Sequence, residues 1–208
     1  ELLYFDVTRG DVPVNSVDVS YEAAKGIGYI KVSKFARNTY NEFITAIAKL
    51  KQAGCTSFVI DLRGNTGGYM DAAINMINEF MPEGRLIVYT EGKSFPRSDV
   101  YANGTGTCKD APIVVLTDEI FSGAIQDNDR GTIIGRRTYG KGLVQTQMSL
   151  SDGSEMRLTI ARYYTPSGRC IQKKYEMGNT DAYDQDIYNR YMHGEFDSAD
   201  SIKMDDSL

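Results

Sequence analysis

Tryptophan is absent from these 208 residues, histidine occurs once and cysteine three times. The lone histidine, His193, lies in YMHGEF, far along the chain from any serine-bearing turn. That placement argues against a Ser-His-Asp constellation and reads as a surface residue. Cys55, Cys108 and Cys170 are widely separated and form no CxxC pair, so neither a zinc site nor a disulfide framework is indicated. One disulfide with a spare thiol is the most that the count allows. No metal or organic cofactor is implied. Lys and Arg form no long block and the formal net charge is -5. Nucleic acid and anionic membrane surfaces both need clustered positive charge, so no nucleic acid is expected as a partner, whereas a polypeptide stays open. No run approaches the roughly 20 apolar residues that span a bilayer, and the opening ELLYFDVTRG lacks a basic-then-apolar leader. The chain reads as a soluble piece, although trimming of an exported protein would leave the same trace.

What is present is apolar material for a core, 41% of residues, in changing periods. Residues 16–19 and 28–32 read as short strands punctuated by Gly26 and Gly28. From 39 to 53, Tyr40, Phe43, Ile44, Ile47, Ala48 and Leu50 recur at three and four, which predicts a helix capped by Asn38 or Thr39 and stopped at Gly54. SFVIDL reads as a buried strand, and RGNTGG opens a second helix carrying Met70, Ala73, Ile74, Ile77 and Phe80, stopped by Pro82. RLIVYTE, APIVVLT and GTIIG read as further strands, with IFSGAIQDN helical between the last two. Strands alternating with helices predict an α/β fold with a mostly parallel sheet and flanking helices. Residues 143–164 change to hairpin character around SDGS. Beyond Lys174 the chain turns polar, with one amphipathic stretch at 183–191 and an acidic, solvated end.

Three patterns carry chemistry. Gly135, four residues, Gly140 and Lys141 fit most of a phosphate loop, but Gly142 stands where Ser or Thr must hold magnesium. The strand-like LVQTQMSL also follows where a helix is needed. Nucleotide binding is therefore set aside. DLRGNTGG is a strand, a glycine turn and a helix start, a place where backbone N–H groups can bind a developing oxyanion. With no histidine near a serine, Lys141 becomes the candidate base. Keeping an ammonium neutral at pH 7 from a reference pKa of about 10.4 costs roughly 4 to 5 kcal/mol, which burial can supply. The flanking glycines would let backbone close over the amine. Gln145, at an even offset along a strand, would share its face.

DLRGNTGG, APIVVLTDE, IQDNDRGTIIGRRTYGKGLVQ and RLTIARYYTPSGRCIQ together resemble the carboxyl-terminal processing, or tail-specific, proteases, above all members from Bacteroides-type bacteria. The likeness runs from about residue 12 onward. It implies a Ser/Lys peptidase with a crotonase/ClpP-like core. Lys141 takes the role of general base and Gln145 steadies it. Gly67 and Gly68 fall on the oxyanion hole, and Asp127 on a supporting position of some members. The resemblance also implies substrates with disordered carboxyl termini, a periplasmic or cell-envelope location, and leaves a homo-oligomer open.

Two departures accompany it. Family members run from a PDZ module into the core, and here only ELLYFDVTRGDVP resembles the end of such a module. Residues 1–20 are accordingly assigned to its terminal strands and a linker, 21–175 to the protease core, and 176–208 to a polar helix and acidic tail. The family also carries a serine-rich segment whose middle serine is the nucleophile, whereas this chain reads VVLTDEIFSGAIQDND and is about seven residues shorter. Either the nucleophile loop is mobile and missing from these residues, or the protein has lost it and binds peptides or hydrophobic ligands without cleavage. The intact Lys141, Gln145 and glycine turn favour the first. A Cα separation well beyond about 3.8 Å between residues 118 and 120 would reveal a gap. Ser122 belongs to the helical pattern and is not taken as a substitute nucleophile. An acyl-CoA enzyme rests on fold analogy alone and is set aside.

Overall fold

Helix α1, Thr39–Gln52, forms where the apolar spacing places it, burying Phe43, Ala46, Ile47 and Leu50 on one face. Asn38 is its N-cap residue, but the Asn38 side chain bonds the Glu42 carboxylate instead of a helix amide. Gly54, at φ +93°, ends the helix in a conformation that other residues adopt only with strain. The computed structural model describes residues 15–116, 119–174, 181, 183 and 185–197. The segment ELLYFDVTRGDVP, expected to be the end of a PDZ module, therefore lies outside the described residues.

Strands β1 (Val17–Ala24), β2 (Ile27–Val32), β3 (Ser57–Asp61), β6 (Ile113–Leu116) and β7 (Thr132–Ile134) form one sheet in the order β1-β2-β3-β6-β7. All its pairings are parallel except β1 with β2. Strand β1 thus begins inside the segment assigned to the module remnant and pairs with the core. Helices α2 (Met70–Asn78) and α3 (Glu119–Asp127) follow β3 and β6. The first ends four residues before the expected stop at Pro82.

A second sheet holds β4 (Leu86–Glu91), β5 (Ser98–Tyr101), β8 (Leu143–Ser149) and β9 (Glu155–Tyr164) in the order β5-β4-β9-β8, antiparallel throughout. The mostly parallel sheet expected is the first one, whereas RLIVYTE, read among its strands, joins the antiparallel one. Ile87, Val88 and Tyr89 of β4 are all buried, and burial on both faces gives the same uninterrupted apolar run whichever way the neighbours point. Tyr89 stacks on Tyr164 of β9, with ring centroids 4.9 Å apart. The antiparallel hairpin expected around SDGS is β8–β9.

Phe80 sits at the centre of the core. Its ring meets Phe43, Phe58 and Phe121 edge to face at 6.1, 6.4 and 6.3 Å, tying α1, β3 and α3 to the end of α2. Arg130 locks the same region: its guanidinium is held by the carbonyls of Phe80 (2.6 Å), Cys108 (2.8 Å) and Ala111 (2.8 Å). The three cysteines are free thiols. Helix α4 (Asp186–Met192) covers most of the amphipathic stretch read at 183–191. His193 is exposed, as its position suggested.

Candidate active site

Open parallel sheets collect ligands at the carboxyl ends of their strands, and the glycine turn after β3 and the start of α3 after β6 share that edge. The turn is anchored from below by Asp61, which is fully buried. Its carboxylate accepts from the Tyr29 hydroxyl at 2.5 Å and from Arg63 through the amide (2.9 Å), Nε (3.0 Å) and NH2 (2.7 Å). Burial alone would raise this carboxyl, but Arg63 and Tyr29 overcome it and hold Asp61 well below the ordinary carboxylate range.

Above that anchor the chain folds back on Phe35. The Phe35 amide donates to the Gly67 carbonyl at 2.9 Å, and the Tyr69 amide to the Phe35 carbonyl at 2.7 Å. Gly68 has φ +144°, which other residues adopt only with strain, and a Cβ there would lie 2.1 Å from the Phe35 carbonyl oxygen, so only glycine fits. The two glycines are not equivalent donors. The Gly67 N–H is occupied by Asn65 Oδ1 at 2.7 Å, whereas the Gly68 N–H meets no acceptor among the described residues. Gly67 therefore shapes the turn, and Gly68 carries the open amide.

Lys141 enters from the other side. Lys173 N–H donates to the Gly140 carbonyl (2.9 Å), Gln172 Oε1 accepts from the Gly142 amide (3.0 Å), and the Tyr163 amide donates to the Gly142 carbonyl (2.8 Å). A Cβ on Gly140 would lie 2.8 Å from Lys173 Cβ, and one on Gly142 would lie 2.6 Å from the Gln172 nitrogen. The glycines thus let the turn press against residues 171–173. Lys141 as a residue is exposed, where a dry lysine was expected.

The two halves meet in one cavity of about 940 Å³. Gly67, Gly68, Lys141 and Gln145 all line it, with Ile120 from the first turn of α3. Leu62, Met70 and Tyr163 give it apolar wall. Gln145 bonds Thr159 Oγ1 at 3.4 Å, which fixes its amide on the cavity side of the hairpin. No serine is among the described lining residues. Ser122 is buried inside α3, 7% exposed, consistent with a packing role. The Cα spacing that would distinguish a continuous link from a gap involves residue 118, outside the described residues.

Asp127 does not line the cavity. It accepts from the Ser167 amide at 2.9 Å and pairs with Arg169, fastening the end of α3 to the turn after β9. Burial would raise its carboxyl, and the contacts from Thr165, Ser167 and Arg169 lower it overall.

The carboxyl-terminal segment is more than a solvated tail. Arg190 and Glu195 are both 5% exposed and pair at 2.8 Å. Arg190 also donates to the carbonyls of Arg137 and Thr138, while Arg137 reaches the Glu195 carboxylate at 3.3 Å. Lys173 Nζ bonds the Tyr183 carbonyl at 2.8 Å and lies over the Tyr139 and Tyr183 rings at 4.3 and 3.8 Å. These contacts clasp residues 137–142, the arm that carries Lys141. A buried charge pair has the composition of a solvated helix, so polarity alone concealed it.

The model of Peptidase family S41 matches residues 26–181. The chain belongs to peptidase family S41. Relatives in that family include the carboxyl-terminal-processing protease of Synechocystis, 36% identical over 179 residues, covering 81% of this chain and 42% of the relative. The carboxy-terminal processing protease CtpA of Bacillus subtilis is 33% identical, covering 81% and 37%. The structure of the photosystem II D1 C-terminal processing protease superposes with a TM-score of 0.68 at 33% identity, over 80% of this chain and 48% of that one. An S41-assigned protein from Bacteroides fragilis shares the fold, with a TM-score of 0.61 at 18% identity over 89% and 60%. The chain thus spans less than half the length of the curated relatives it matches. No helix among the described residues is long and apolar enough to cross a membrane.

Proposed function

We propose that this protein is a serine endopeptidase that cleaves polypeptides near disordered carboxyl termini by a Ser/Lys mechanism, in the periplasm or cell envelope. The observation that carries this reading is the convergence of Lys141, Gln145, the Gly68 turn and the start of α3 on a single cavity. The nucleophilic serine belongs to a loop between Leu116 and Ile120 that these 208 residues do not contain. Lys141 removes the serine proton as the oxygen attacks the scissile carbonyl carbon. The Gly68 N–H, with its open geometry, donates to the oxyanion. Collapse of the intermediate breaks the C–N bond, Lys141 returns its proton to the leaving amine, and water then hydrolyses the acyl ester with Lys141 again as base. Gln145 steadies the amine. A polypeptide lying across the exposed Lys141 excludes water from the reacting groups.

The test uses protein expressed from the complete coding region, presented with a disordered protein substrate. Lys141→Ala lowers turnover by about 10²- to 10⁴-fold, the usual contribution of a general base, with an unchanged circular dichroism spectrum. Full turnover in that variant refutes the assignment. A coding region that joins Leu116 to Ile120 through Thr117, Asp118 and Glu119 alone would instead make the fold a silent binding module.

A further inference from the structure

The chain is acidic, with a net charge of -5, yet basic side chains line its cavity. Among the described lining residues, Lys141 and Arg157 are the charged ones. Two basic side chains on one wall favour anions there over cations.

Arg157 is the part of this wall that the peptidase chemistry does not use. It projects from β9 opposite Gln147 of β8, on the hairpin that begins at the Lys141 turn. Five other arginines, Arg63, Arg97, Arg137, Arg169 and Arg190, each hold a carboxylate of this chain. Arg157 holds none among the described residues. Glu155, two positions along the same strand, accepts from Gln147 instead. Gln145 is likewise turned to Thr159. The guanidinium, a planar fork of donors suited to two carboxylate oxygens, is thus left unfilled by the described residues.

We propose that Arg157 forms a carboxylate-recognition subsite on the hairpin side of the cavity, so that the preferred polypeptide carries an anionic group there. The ligand chemistry is a carboxylate, from a chain terminus or from an Asp or Glu side chain. The proposal rests on the reading of this cavity as a polypeptide site and adds what that polypeptide must carry. Lys141 contributes only to the general field, whereas Arg157 provides the directed bonds.

The experiment measures binding and does not need cleavage. Fluorescent peptides of one disordered sequence are titrated onto the 208-residue protein in four forms. These are a free carboxyl terminus without acidic side chains, the same peptide amidated, an amidated peptide with one Glu near its end, and the same amidated peptide with Gln. The expected result is that one carboxylate form binds about fivefold tighter than its neutral counterpart, a difference of about 1 kcal/mol for a partly exposed pair. Whichever form shows the gain identifies the source. The gain disappears in Arg157→Gln, survives in part in Arg157→Lys, and fades in 0.5 M salt. Equal binding of all four forms, or a gain that persists in Arg157→Gln, overturns the subsite and leaves the peptidase reading standing. Carboxylate-selective binding with no hydrolysis by the loop-bearing protein keeps the subsite and overturns the peptidase reading. Absence of binding by every form overturns the subsite.

Discussion

Replacing Arg190 with alanine removes four contacts at once: two to the Glu195 carboxylate and one each to the Arg137 and Thr138 carbonyls. Breaking a buried ion pair from one side costs about 3 to 5 kcal/mol, because the remaining charge stays out of water. Here the lower end applies, since Arg137 still reaches Glu195 at 3.3 Å. About 3 kcal/mol is then lost, and its location matters more than its size. The core around Phe80 shares none of these contacts. The loss therefore falls on the docking of α4 and on residues 137–142, as local opening.

Native-state hydrogen exchange reads this directly. In Arg190→Ala, amides of 137–142 and 186–192 lose protection by roughly 100-fold, the equivalent of about 3 kcal/mol, while those of β3 and β6 keep theirs. A double variant, Arg190→Met with Glu195→Leu, removes the orphaned charge and restores protection to α4 but not to 137–142, whose carbonyls still lack their donor. Unchanged exchange at 137–142 in the single variant would refute the claim that the carboxyl-terminal segment holds the lysine arm. Uniform loss across β3 and β6 would refute its local character.

Two further outcomes follow from the same geometry. Gly68→Ala must displace the Phe35 backbone, since its Cβ would sit 2.1 Å from a carbonyl oxygen, whereas Gly67→Ala at φ +80° meets nothing within 4 Å. Urea unfolding then shows about 1 to 2 kcal/mol lost for Gly67→Ala and at least twice that for Gly68→Ala, and equal losses would contradict the packing account. The Tyr40 hydroxyl donates to Glu79 at 2.7 Å, and this bond, with burial, pushes its pKa up to about 12 from 10.0. A raised folded pKa means stabilisation that is complete below pH 10 and lost as pH climbs to about 12, worth about 2 kcal/mol. The difference in stability between wild type and Tyr40→Phe should shrink across that window, and a constant difference would refute it.

Local pattern was enough to place α1, the strand ending at Asp61, and the glycine turn, because each is written in adjacent residues: a three-and-four stripe, an apolar run, a cluster of glycines. An even offset predicts a shared strand face for Lys141 and Gln145; both line the cavity, but Lys141 stands before β8, which begins at Leu143. What local pattern could not resolve were choices made by distant partners. The buried run of β4 is compatible with either strand direction, and Tyr164 of β9 decides it. Glycines beside Lys141 permit close approach by a ligand or by the chain itself, and residues 171–173 took the space. Gly67 and Gly68 look interchangeable until Asn65 claims one amide. The clasp is the strongest case. A polar segment can be buried only if every charge arrives with its partner, and half of what satisfies Arg190 is the backbone of Arg137 and Thr138. Backbone carbonyls have no sequence signature, so a clasp of this kind becomes visible only when the fold brings its two ends together.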